Sequence, residues 1–468
     1  MVFSNTVFLF LFLPAVIILY NIIPTLTAKN VLLTIASLIF YAYGEPFTVF
    51  LMIGSVLVNY FFGLLMSERF RLRKLFLGLS VTANILILVI FKYSGFLVDI
   101  INGILPFSIS KPDISLPIGI SFFTFQAMSY VIDVYREPEI REKNPAKLLL
   151  YISFFPQLIA GPIIKYHDVK NMINGRTTDP QMIAEGIRRF ILGLSKKVII
   201  ANQMAIAADS IYALDDSSLT APAAWLGAIC YMFQIYFDFS GYSDMAIGLG
   251  KMFGFTFKEN FDHPYVSSSM TEFWRRWHIS LSTWFKEYLY IPLGGNRKGT
   301  ARTYINKMTV FLLTGLWHGA SVNFIIWGAL NGGALLFETK TGLFKNGKQI
   351  VIGHIYTVIF TALAFVVFRA ESFSQSLSFY KAMFTGFSID HAALANVVKL
   401  ITPVFIMVFI MAVIFSAPVR DKIKNVLSNR IGETAVDVSG YVISIAMLLI
   451  CILSLSSATY NPFIYFRF

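Results

Sequence analysis

Cysteine is nearly absent. The two present in 468 residues, Cys230 and Cys451, each sit inside an apolar run, which excludes a disulfide framework and a cysteine metal cluster. Both read as small buried hydrophobes. Charge is scarce as well, at 14% of residues against 56% hydrophobic, a balance outside the soluble globular range. No two histidines or carboxylates share a ligand spacing such as H-x-x-x-H, so no metal site is expected. No internal repeat, low-complexity tract or hydrophilic block of domain size occurs, and the chain reads as one integral-membrane domain over 1–468. The first segment, "VFLFLFLPAVIILYNIIP", lacks a basic leader and a small-residue cleavage site. It reads as a retained helix, with the mature chain starting at or near Met1.

What is present in quantity is apolar sequence. Eleven runs near membrane-crossing length recur at 7–24, 31–43, 47–66, 75–92, 114–132, 147–164, 222–250, 308–337, 351–368, 398–416 and 438–456. The expected class is therefore an all-α polytopic membrane protein surrounded by membrane lipids. The net charge of +12 comes from clusters at 67–74, 135–143, 188–197, 274–302 and 420–430, all placed in the cytoplasm by the positive-inside rule. Counting spans from those clusters puts both termini outside. Nucleic-acid binding is not expected, because the basic residues are spread along one membrane face. Strict alternation fails between 160 and 222, where "LIAGPIIKYHDV" carries a Gly-Pro break followed by an amphipathic stretch, read as a re-entrant or interfacial element.

An ionisable group at membrane depth asks for a functional reason. In "FLLTGLWHGASVNFIIWGALNG" (311–332), a span starting near Met308 would carry His318 about 15 Å deep, close to the midplane. Gly315, Gly319, Gly328 and Gly332 permit close helix approach there, Asn323 and Asn331 add polar groups, and Trp317 is placed to wall the ring. A packing histidine bonded to a neighbouring helix fits the position equally well.

Residues 260–295 hold a second candidate. Phe273, Trp274, Trp277, Leu281, Trp284, Phe285 and Tyr288 fall at helical spacing, predicting one helix with an aromatic face opposite Arg275, Lys286 and Glu287. His278 lies at its margin beside Arg275 and Arg276, a cation pair suited to an anionic or phosphate-bearing donor. A plain interfacial helix anchored by Trp and Arg is the alternative. A third stretch, 231–250, buries Gln234, Asp238 and Asp244, where structural pairing of Asp238 with an Arg, a Tyr or a backbone N–H is the better reading. His167, His263, His354 and His391 carry little chemical expectation.

Taken in order, "IGISFFTFQAMSYVIDVYR", "SFFPQLIAGPIIKY", "MFQIYFDFSGYSDMAIGLGKMFGF", "EFWRRWHISLSTWFKEYLYIPLGGNRKG", "LTGLWHGASVNFIIWGALNG" and "FIYFRF" resemble the membrane-bound O-acyltransferases (MBOAT), in the alginate O-acetyltransferase-like bacterial branch. The likeness covers nearly the whole chain, and the pairing of "WRRWHIS" with "LWHGAS" is its most specific part. The resemblance implies an MBOAT-type helical bundle with a central funnel and re-entrant or interfacial helices. It also implies a catalytic histidine at His318 with His278 as its companion, in a bacterial inner membrane. Nothing carries over to His263, where family sequences usually have another residue.

The expected reaction moves an acetyl group from a cytosolic thioester, acetyl-CoA or another acyl donor, to a hydroxyl of an exported or cell-wall polysaccharide. His318 would serve as general base, with Trp317, Asn323, Trp274, Arg275, Arg276 and Asp238 around the substrates. No tightly bound cofactor is expected. A separate periplasmic or extracellular acyl-accepting protein is an expected partner. The competing readings are D-alanyl transfer to teichoic acid-type polymers, a transporter without covalent chemistry, and a purely structural membrane subunit.

Overall fold

The computed structural model describes all residues except 69, 345–349, 388–390, 458–463 and 465–468. Of the closing motif "FIYFRF" only Ile464 is therefore described; the other residues of the motif, part of the clusters at 67–74 and 420–430, and the side chain of His391 lie outside the described residues. Among the described residues every regular element is helical. The chain divides into two compact units, residues 1–190 with 245–258 and residues 191–244 with 259–468.

The first half supplies α1 (Phe8–Ile22), α2 (Leu26–Ala42), α3 (Thr48–Glu68), α4 (Arg73–Asn102), α5 (Ile120–Arg136), α6 (Pro145–Ser153), α7 (Phe155–Leu158), α8 (Tyr166–Asn174), α9 (Pro180–Tyr212) and α10 (Ala221–Met252). The second supplies α11 (Met270–Arg276), α12 (Ile279–Phe285), α13 (Thr300–His318), α14 (Val322–Thr341), α15 (Ile350–Arg369), α16 (Phe373–Thr385), α17 (His391–Leu400), α18 (Pro403–Phe415), α19 (Val419–Ile431) and α20 (Glu433–Ser457).

Four of the eleven apolar runs lie in helices long and apolar enough to cross a membrane: Thr48–Met66 of α3, α4, α15 and α20. The fifth such helix, α9, corrects the sequence reading of 160–222. The Gly-Pro break is followed by the short amphipathic α8 and then by a continuous 33-residue helix, in which a π-helical turn at Lys196–Ala201 lets an amphipathic start merge into an apolar end. The run at 308–337 is likewise two helices and not one. The backbone of Gly319 and Ser321 turns extended between α13 and α14.

The first unit is held by aromatic packing and one buried arginine. Phe8, Phe12, Phe40 and Phe155 meet at ring separations of 5.4–6.2 Å. Arg176 Nε donates to the Tyr20 hydroxyl (3.0 Å) and the Phe253 carbonyl (2.9 Å), and Nη1 donates to Asn30 Oδ1 (2.6 Å), which satisfies most of a guanidinium in an apolar setting.

The second unit has a continuous apolar core that includes Tyr231, Phe237, Trp274, Trp277, Trp327 and Phe365. Three ion pairs lie at least partly buried in it: Lys197 with Asp238 at 2.8 Å, Lys196 with Asp244 at 2.7 Å and Arg369 with Asp209 at 2.6 Å. Asp238 also accepts from the Ile464 N–H at 2.8 Å. Its carboxylate is thus bound by a lysine and a backbone donor, the structural pairing foreseen for it.

Candidate active site

The aromatic stretch 270–290 is not the single helix its spacing predicts. α11 ends at Arg276, Trp277 is extended, and His278 takes a left-handed backbone (φ +45°) that caps the start of α12. No glycine or proline marks this break, so periodicity runs straight through it. The start of α11 is fixed chemically. Ser269 Oγ accepts from the Glu272 N–H, while Glu338 of α14 accepts from the Met270 and Thr271 N–H groups at 2.6 and 2.9 Å.

The break carries His278 into the core, where it is 1% exposed. Its ring meets Phe239 edge-on at 4.6 Å and lies over Phe261 at 6.3 Å. Nδ1 faces Asn260 Oδ1 at 3.3 Å. That oxygen also accepts from the Ser280 N–H (3.0 Å) and hydroxyl (2.8 Å), so it acts as an acceptor throughout and Nδ1 is the protonated ring nitrogen. Nε2 is left with its lone pair. Burial, and after it the neighbouring His318, hold the His278 pKa well below the usual imidazole range, so the ring is neutral at neutral pH.

His318 is the last residue of α13 and is 5% exposed. Its ring is enclosed edge-to-face by Trp317 (5.0 Å), Trp327 (5.1 Å) and Phe368 (5.1 Å). Trp317 also stands 6.1 Å from His278, so one indole neighbours two imidazoles contributed by different parts of the sequence. The hairpin that places His318 is tight: a methyl at Gly315 would clash with the Phe324 carbonyl oxygen, and one at Gly328 with the Phe311 carbonyl oxygen. The glycines do permit close approach, but they do so between α13 and α14, and His318 sits at the turn between two helices instead of inside one span.

The other sequence candidates make the following contacts. Asn323 Nδ2 donates to the Ala370 carbonyl (2.9 Å), tying α14 to the end of α15. Arg276 bridges Asp262 and Glu272, each at 3.0 Å, and the Arg275 side chain is exposed. Trp274 is buried against Trp327 at 5.6 Å. The sequence reading did not single out Trp327, Phe368 or Asn260. Trp327 belongs to the "LTGLWHGASVNFIIWGALNG" stretch, but nothing in its spacing distinguishes it from the other aromatics.

The model of the membrane-bound O-acyltransferase family matches residues 120–380. The chain belongs to that family. It is 41% identical to the probable alginate O-acetylase of Pseudomonas putida and 40% identical to that of Azotobacter vinelandii, with all of both chains covered in each case. It is 38% identical to the peptidoglycan O-acetyltransferase of Helicobacter pylori over 84% of this chain and 81% of the relative. The matched span contains both histidines, and the chain is a multi-pass membrane O-acyltransferase.

Proposed function

We propose that this acyltransferase moves an acetyl group from a cytosolic thioester, acetyl-CoA in the simplest case, to hydroxyl groups of an exported polysaccharide, with His318 as general base. The observation that carries this reading is that two buried imidazoles, His278 and His318, both pack against the Trp317 ring within an aromatic shell. The activity of the alginate O-acetylase relatives suggests the acyl group and the class of acceptor.

An imidazole suits the removal of an alcohol proton near neutral pH, a contribution typically of 10² to 10⁴-fold. The neutral His278, held in one tautomer by Asn260, presents an Nε2 lone pair as a second acceptor that orients the incoming hydroxyl or relays its proton. The apolar shell excludes water that would otherwise consume the thioester. Acceptance of the acyl group by a separate periplasmic or extracellular protein, in a bacterial inner membrane with both chain termini outside, completes the proposal. The Helicobacter pylori relative makes peptidoglycan the alternative acceptor.

The test uses membranes containing the full chain, radiolabelled acetyl-CoA and a polymannuronate oligosaccharide. Wild type should release free CoA and label the oligosaccharide, whereas His318→Ala, inserted at the same level, should lose at least about 10²-fold in rate. Transfer by His318→Ala at the wild-type rate would overturn the assignment.

A further inference from the structure

Two buried indole N–H groups have no hydrogen-bond acceptor: Nε1 of Trp327, whose ring packs on His318, and Nε1 of Trp274, whose ring packs in turn on Trp327. Trp327 is 2% exposed and Trp274 8%. The Trp327 ring lies 5.1 Å from the His318 ring at an interplanar angle of 82°, and the Trp274 ring lies 5.6 Å from Trp327 at 77°. A buried tryptophan normally finds a partner for its N–H, because leaving a donor unmet forfeits the hydration it had in the unfolded chain. The side-chain amides of Asn323 and Asn331 donate to the Ala370 and Trp327 carbonyls, each at 2.9 Å, and neither amide oxygen accepts from Trp327 or Trp274. Two orphan donors on packed indoles, the first of them on a ring that touches the residue assigned as the base, point to an acceptor that arrives with the substrate.

We propose that Trp327 is a catalytic residue whose indole N–H binds the acyl carbonyl oxygen of the thioester, with Trp274 as the second donor. This rests on the general-base reading of His318. The acceptor hydroxyl oxygen forms a bond to the carbonyl carbon while its proton passes to the His318 imidazole, and the carbonyl π electrons move onto the oxygen facing Trp327. When the carbonyl re-forms, the C–S bond breaks and the departing thiolate takes the proton back from His318, so ester and free thiol are the products. A donor aimed at the oxygen where charge develops stabilises that transition state more than the ground state. Indole fits the task because it only donates, carries no charge and is no nucleophile. A serine or lysine at the same place would compete for the acyl group.

The test replaces the Trp327 side chain by 3-benzothienylalanine, in which sulfur stands for the N–H at nearly constant shape. Trp327→Phe serves as a second variant. Full-length protein is assayed with acetyl-CoA and the polymannuronate oligosaccharide, and the carbonyl stretch of bound acetonyl-dethia-CoA is read by infrared spectroscopy. The expected result is a fall in kcat of about 10²-fold with KM for the donor within threefold, together with a shift of the stretch to higher wavenumber. A rate within twofold of wild type, or an unmoved carbonyl band, overturns the assignment. Running His318→Ala alongside keeps the two claims apart. An inactive His318→Ala with a fully active isostere removes only the Trp327 role, whereas an active His318→Ala, or no binding of the thioester analogue by wild type, removes the underlying reading.

Discussion

The Asn260 side chain is the smallest part of the site with a separable effect. By accepting from Nδ1 of His278 it selects the ring's tautomer, and its other bonds to Ser280 hold the first turn of α12. Asn260→Ala should therefore lower acetyl transfer by about tenfold while leaving donor KM little changed, since a tautomer and orientation are lost but no donor contact; steady-state kinetics in membranes check this. His278 also makes stability depend on pH. Its folded pKa is depressed, so the unfolded chain binds the extra proton, and stability is complete above the unfolded value of about 6.5 and falls as pH drops below it. Melting midpoints in detergent should decline from pH 7.5 to pH 5. The decline should shrink in His278→Asn, which tolerates the left-handed backbone that residue 278 adopts.

At the scale of elements, the α13–α14 hairpin positions His318 through backbone contact between glycines and carbonyl groups. Gly315→Ala forces a methyl against the Phe324 carbonyl oxygen, a rigid neighbour, and should cost about 1–3 kcal/mol and displace His318. Gly333→Ala, on the partner helix α14 with open space around the new methyl, should be neutral or slightly stabilising. Thermal melts and transfer assays of the pair separate local clash from general helix effects. The sequence made much of this legible, because glycine spacing and apolar run length follow directly from helix packing. The two breaks were not legible. Residues 319–321 turn without proline, and His278 turns in a conformation that no composition rule assigns to histidine. The aromatic periodicity of 273–288 survives the break because all seven of its residues are buried on both sides of it, so burial and helical continuity came apart.

For the whole molecule, the proposed orientation in the membrane rests on the charge distribution. The native cysteines Cys230 and Cys451 are both buried, so a single introduced cysteine dominates labelling. In intact cells an impermeant maleimide should modify Ser110→Cys, in the exposed segment between α4 and α5, and should leave Lys298→Cys unlabelled until the membrane is opened. The reverse pattern would invert the orientation, placing the donor on the wrong side. Family membership was readable from ordered motifs at this scale. The enclosure of His318 by Trp327 and Phe368 was not, since these residues are 9 and 50 positions further along the chain and meet it only through tertiary packing.

The six tryptophans, Trp225, Trp274, Trp277, Trp284, Trp317 and Trp327, all fall within the unit of residues 191–244 and 259–468. Light absorbed selectively by indole therefore interrogates that unit alone, and the other is optically silent. Emission from the native chain is a label-free gauge of events around the two imidazoles, and an unchanged spectrum says nothing about unfolding of the remainder.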